Sequence, residues 1–164
     1  MIKKSMKSLF TYLLCLFLIS CNLSCDKLSQ KKEQFLDELF PTFNSELSDT
    51  PANKRRFKEF LKVKLSDDVK NIYCFDDVIG IDSDYMFSFN CNEETAQKII
   101  EVHNFEIDTT NSDNAFNIQH DFHWWDKQRI VELQKYSWTN GKNYNKYFWY
   151  DSKQEKAYFF DFDL

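Results

Sequence analysis

Residues 147–164 read Tyr-Phe-Trp-Tyr-Asp-Ser-Lys-Gln-Glu-Lys-Ala-Tyr-Phe-Phe-Asp-Phe-Asp-Leu. Two aromatic runs, Tyr147 to Tyr150 and Ala157 to Leu164, flank the polar stretch Asp151 to Glu155, the pattern of two β-strands joined by a turn. With the turn centred between Lys153 and Gln154, Trp149 stands opposite Tyr158 and Tyr147 opposite Phe160. Successive side chains of a strand point to opposite faces. Those four therefore share one face with Phe162, while Phe148, Tyr150 and Phe159 share the other with Lys146 and Asp161.

Upstream of this hairpin, Asn140-Gly141 is a strong turn signal, and residues 127–139 are open between a short helix, on Ile130 and Leu133, and a strand. Phe116 to Trp124 alternates, with Phe116, Ile118, His120, Phe122 and Trp124 against polar residues and His123, which predicts a strand. Asn92-Glu93-Glu94 predicts a helix start, with an Asn cap and acids in the first turn; Ala96, Ile99, Ile100 and His103 follow at helical spacing. Val69 to Phe75 and Tyr85 to Phe89 are β-prone and predict a hairpin through Asp76 to Asp84, which contains Gly80. Thr50-Pro51 predicts a second helix start, continued by a stripe of Phe57, Phe60, Leu61 and Leu65. Lys27 to Phe40 has helical spacing and stops at Pro41. The expected architecture is α+β: an antiparallel sheet of about five strands with two or three helices packed on one face, forming a single globular domain over 28–164.

The chain has 164 residues, of which 43% are apolar and 18% aromatic, with 17 Phe. Gly and Pro occur twice each, too few for a glycine-rich phosphate loop. Basic side chains number 21 and acidic ones 26. Residues 1–20 contribute Lys3, Lys4 and Lys7 and no acid, so the remainder is acidic by 8 charges. An acidic domain is a poor reader of nucleic acid, because phosphate neutralisation needs clustered Lys and Arg. Lys54-Arg55-Arg56 is a local basic patch that reads as a solvated helix face.

The N-terminus has three parts: a lysine-bearing segment to Lys7, an apolar run from Leu9 to Ile19, and Leu18-Ile19-Ser20-Cys21. The apolar run suits a signal peptide and is shorter than the ~20 residues that a bilayer span needs. The tetrapeptide resembles the lipobox of bacterial lipoproteins. That resemblance implies a signal peptide over 1–20, cleavage before Cys21, a lipid-bearing thioether on Cys21 and a tether over 21–27. It places the protein on the extracytoplasmic side of a bacterial cell membrane or outer membrane, anchored in the bilayer through Cys21, since two or more acyl chains anchor stably. An ordinary cleaved signal with a chance cysteine is the plainer alternative, and Cys25 is a second, poorer lipidation position.

Candidate chemistry is sparse. His120 and His123 on a strand point to opposite sides and do not share a metal; His120 falls on the apolar side as a core histidine, and His103 suits a helix C-terminus. Cys74 and Cys91 stand opposite each other if the first hairpin turns on Asp82-Ser83, a disulfide arrangement; a longer loop around Gly80 puts them out of register. No metal or cofactor is expected. The calcium-loop pattern around Asp82 and Asp84 fails at Met86 and Phe87, and Asp76, Asp77, Asp82 and Asp84 leave a two-carboxylate glycosidase open as an alternative. The aromatics are many for a small core, and adjacent Trp124 and Trp125 cannot both point inward from a strand. Trp125, Phe148, Tyr150, Phe159 and Asp161 form the expected binding surface, since Trp and Tyr dominate interfaces.

The strand from Tyr85 to Cys91, the helix after it, Trp124-Trp125 and the Phe148-Trp149-Tyr150-Asp151 stretch ahead of Tyr158-Phe159-Phe160 resemble a layout seen in small uncharacterised exported bacterial proteins. That resemblance implies no activity. The leading expectation is a membrane-anchored binding module, of inhibitor or immunity type, for an envelope or secreted protein partner. The alternatives are a carboxylate-dependent carbohydrate hydrolase and a structural envelope lipoprotein.

Overall fold

The computed structural model of the chain describes residues 44–77, 84–109 and 113–163. The signal segment, Cys21, Cys25, the tether and the helix expected over 27–40 lie outside the described residues, as do Gly80 and Asp82-Ser83. In chain order the elements are α1 (Pro51–Leu61), β1 (Lys70–Asp77), β2 (Asp84–Asn90), α2 (Glu93–His103), β3 (Glu106–Ile107), α3 (Lys127–Ile130), β4 (Lys135–Thr139), β5 (Tyr144–Asp151) and β6 (Lys156–Asp163). The class is α+β as expected, with an antiparallel sheet of six strands in the order β1-β2-β6-β5-β4-β3.

Local chemistry places the helices. The Thr50 hydroxyl accepts from the Asn53 backbone N–H at 3.0 Å and Pro51 opens α1, while Lys62 ends it in the left-handed region at φ 57°. The Asn92 side chain accepts from the Thr95 N–H at 2.8 Å, and Glu93 and Glu94 occupy the first turn of α2. Asn104, at φ 54°, closes that helix; the Phe105 N–H reaches back to the Ile100 carbonyl at 3.0 Å. This satisfies carbonyls that the last turn leaves open.

The C-terminal hairpin has the register read from its sequence: Trp149 pairs with Tyr158, Tyr147 with Phe160 and Phe148 with Phe159. Strand β6 lies between β2 and β5, so both of its edges are paired. On the first face Phe148, Ala157 and Phe159 pack with Phe87, Phe89, Cys74 and Ile72 under α1 (Phe57, Leu61) and α2 (Ala96, Ile99). On the second face Met86, Trp149, Tyr158, Phe160 and Phe162 pack under Trp124, Trp125, Ile130 and Ala115. Two helices therefore share one face, and the segment 113–133, with the single-turn α3, closes the other. Full burial of each large ring contributes roughly 1.5–3 kcal/mol, so this doubly covered sheet accounts for the aromatic content.

The strand expected over Phe116 to Trp124 is not formed; those residues are irregular. Their backbone groups are held by turns, from the Ile118 N–H to the Ala115 carbonyl at 3.2 Å and from the Trp125 N–H to the Phe122 carbonyl at 3.0 Å. A side chain holds two more: Lys127 Nζ donates to the carbonyls of Phe116 (3.2 Å) and Gln119 (2.9 Å). The ambiguous stretch 127–139 contains both alternatives, the short α3 and then β4.

Cys74 and Cys91 are both buried free thiols. Cys74 pairs with Phe87 across β1 and β2, which centres the connection near Gly80 rather than on Asp82-Ser83 and puts the two sulfurs out of register for a disulfide. Burial pushes the Cys91 thiol up to about 12, with Asp68 and Glu155 adding to the shift.

Candidate functional site

Alternation along β1 sends Tyr73 and Phe75 to the second face, opposite Ser88 and Met86 of β2. There they meet the irregular segment. Trp125 turns inward, 4% exposed, with its indole N–H donating to Gln119 Oε1 at 2.7 Å and its ring edge-on to Trp149 and Tyr158. Trp124 is also buried, at 3%, and its indole N–H donates to the Ser45 carbonyl at 2.7 Å. Adjacent residues can both face inward because the backbone here turns instead of extending.

The residues around Trp124 form a continuous row of rings. Phe122 stacks on Trp124 with centroids 4.8 Å apart and planes 7° apart, and Tyr73 stacks on the same indole at 5.6 Å. Phe75 lies 4.9 Å from Phe122 and 4.4 Å from His120. His123 stands edge-on to Tyr73 at 5.4 Å, with Nδ1 3.5 Å from Glu46 Oε2. His120 and His123 are exposed, and Tyr73, Phe75 and Phe122 are half-buried. The row from His120 to His123 is thus open on one side and backed by the second core on the other.

Such a surface offers flat apolar faces for stacking and two imidazole edges for hydrogen bonding. Its rings are fixed by packing, so little side-chain entropy is lost when a partner docks. The nearby carboxylates are engaged at the surface: Glu46 with His123, and Asp121, 88% exposed, with Lys127 at 2.7 Å. Among the described residues no group of three or more His, Cys, Asp or Glu side chains is arranged to hold a metal ion.

The surface expected from the sequence lies elsewhere. Phe148 and Phe159 are fully buried, Trp125 and Asp161 nearly so, and Tyr150 is half-buried with its hydroxyl donating to the Cys91 carbonyl at 3.2 Å. Phe148, Phe159 and Asp161 are buried because β2 and β5 flank β6 and helices cover the face they share, and Trp125 because it turns into the second core. Asp161 accepts from the Tyr144 hydroxyl at 2.8 Å and sits 3.7 Å from Lys146 Nζ. Burial holds its carboxyl above the usual range, partly offset by the Tyr144 and Lys146 contacts. It belongs to a buried polar network, not to a displayed surface.

The histidines are also redistributed. His120 is exposed rather than in the core, because the strand that would have turned it inward is absent. His103 is buried at the end of α2, with Phe105 and Phe159 each 5.3 Å away. Burial, with Lys146 and Lys62 nearby, lowers its pKa to about 4, so it is a neutral core residue and not a cation on the helix end. The signal that could have located the aromatic row was present: the alternation of His120, Phe122 and Trp124 does collect those three on one side. Reading it as a strand hid their meeting with Tyr73 and Phe75.

Comparison with protein families, with characterised proteins and with solved structures finds no match to this chain.

Proposed function

We propose that this protein is a binding module anchored by lipid on Cys21 to the extracytoplasmic side of a bacterial membrane, where it occupies an envelope or secreted protein as an inhibitor or immunity-type factor. The observation that carries the reading is the packed row His120, Phe75, Phe122, Tyr73 and His123, open on one side and built on the buried Trp124. Aromatic side chains seated on a packed core and rimmed by polar groups are the composition of interaction hot spots. The lipobox resemblance supports the location, and the acidic net charge argues against nucleic acid as the partner.

The test compares proteins recovered with the wild type and with a Phe122→Ser, His120→Ala double variant from envelopes of the source cell. Truncating a hot-spot residue costs about 2 kcal/mol or more, so the variant, compared at a temperature where circular dichroism shows it folded, should hold the partner at least about tenfold more weakly. Equal recovery by both proteins overturns the reading, as does turnover of cell-wall glycan by the purified protein. The location has its own check: Cys21→Ser should leave the precursor uncleaved and free of acyl chains.

A further inference from the structure

Charge is distributed unevenly along this chain. Residues 51–65 hold Lys54, Arg55, Arg56, Lys58, Lys62 and Lys64 against the single acid Glu59, a local excess of five positive charges in a chain whose net charge is −5. Lys54, Lys58 and Lys62 are spaced at i, i+4 and i+8, which aligns them along one side of α1 and its cap. Lys62, Lys64 and Lys58 line an open depression of about 470 Å³, floored by Val63 and Leu65. All four lysines are exposed, and none forms an ion pair among the described residues.

We infer that this lysine row is a docking surface for an anionic lipid bilayer. The inference rests on the reading of Cys21 as a lipid anchor, which holds the domain within reach of a bilayer whatever its charge. An acidic domain so held is repelled by anionic headgroups through its net charge and attracted through this row. Lysines close to such a surface are drawn to its anionic headgroups. The aliphatic stems of the lysines, with Val63 and Leu65, suit the headgroup boundary, where the ammonium groups reach phosphate while the stems stay in apolar surroundings. An acidic protein is the less favoured occupant. Protein contacts to carboxylates use the planar fork of Arg for geometry, and the charged groups that line the depression are all Lys.

The consequence is orientation. Helix α1 packs on the first face of the sheet and the aromatic row lies on the second. Docking through α1 therefore turns His120, Phe122 and Tyr73 away from the membrane, toward a partner arriving from outside.

The acylated protein is reconstituted into vesicles of phosphatidylcholine alone, or with about one-third phosphatidylglycerol, and its lysines are labelled with an amine-reactive reagent. Lys54, Lys58, Lys62 and Lys64 should label about fivefold more slowly, or slower still, in the anionic vesicles. Lys142 and Lys153 should be unchanged, and about 0.5 M salt should remove the difference. In a Lys58→Gln, Lys62→Gln, Lys64→Gln variant with the wild-type melting temperature, Lys54 should lose its protection. Equal labelling in the two compositions overturns the inference, as does protection that survives salt or that appears only on addition of polyglutamate. Failure of the anchor reading shows separately, as protein that does not sediment with phosphatidylcholine vesicles.

Discussion

His103 carries a pH signature that follows from its burial. An unfolded histidine takes a proton near its ordinary value of about 6.5, whereas the buried ring resists until about 4. Between those values the unfolded chain binds more protons, so stability is complete above about pH 6.5 and falls as pH drops toward 4. Over that window the loss amounts to roughly 3 kcal/mol. Urea titrations at several pH values should show this slope, and His103→Phe should flatten it; an unchanged slope would rule His103 out as its source. Asn53 is the second critical residue. Its buried amide donates to the carbonyls of Ile72 (2.8 Å) and Leu47 (2.9 Å), and its oxygen accepts from the Cys74 thiol at 3.2 Å. Asn53→Ala strands these groups inside, and unfolding should become about 2–3 kcal/mol easier.

The irregular segment 113–126 does the work that a helix would do on the other face, and one buried cation holds its base. Lys135, 4% exposed, donates to the Asp113 carbonyl at 2.8 Å and pairs with Asp108 at 3.1 Å. Removing one partner of a buried pair costs about 3–5 kcal/mol, because the other charge stays in place. Lys135→Met should therefore destabilise the domain on this order and speed amide exchange first in residues 113–126; uniform exchange across the chain would contradict a local anchor. Trp125 belongs to the same face. Trp125→Ala removes a ring from the second core and should cost about 3–5 kcal/mol in stability, whereas a displayed binding residue would cost little.

The domain's two cores share one sheet, and β6, like its neighbours β2 and β5, is a strand that joins them, with Phe159 in the first and Phe160 in the second. Neither core can be exposed without dismantling the strand that both use. Unfolding should accordingly be a single cooperative step. Tryptophan fluorescence, dominated on the second face by Trp124, Trp125 and Trp149, should then change together with far-ultraviolet circular dichroism, which reports the whole sheet and both longer helices. Separated midpoints would mean that the 113–133 cover melts on its own.

Short-range features were legible because their causes are short-range. Thr50-Pro51 and Asn92 mark helix starts through hydrogen bonds that span three residues, and the hairpin of β5 and β6 takes its register from a turn and a period of two. What the chain could not reveal locally is which neighbours each strand acquires. The insertion of β6 between β2 and β5 joins residues some seventy positions apart, and it buries Phe148, Phe159 and Asp161, which a free hairpin would display. Phe116 to Trp124 alternates like a strand, yet its backbone is held by Lys127 and its indole by Ser45. Those contacts exist only once the sheet has assembled, and they, not the alternation, set where Phe122 and the two histidines meet solvent.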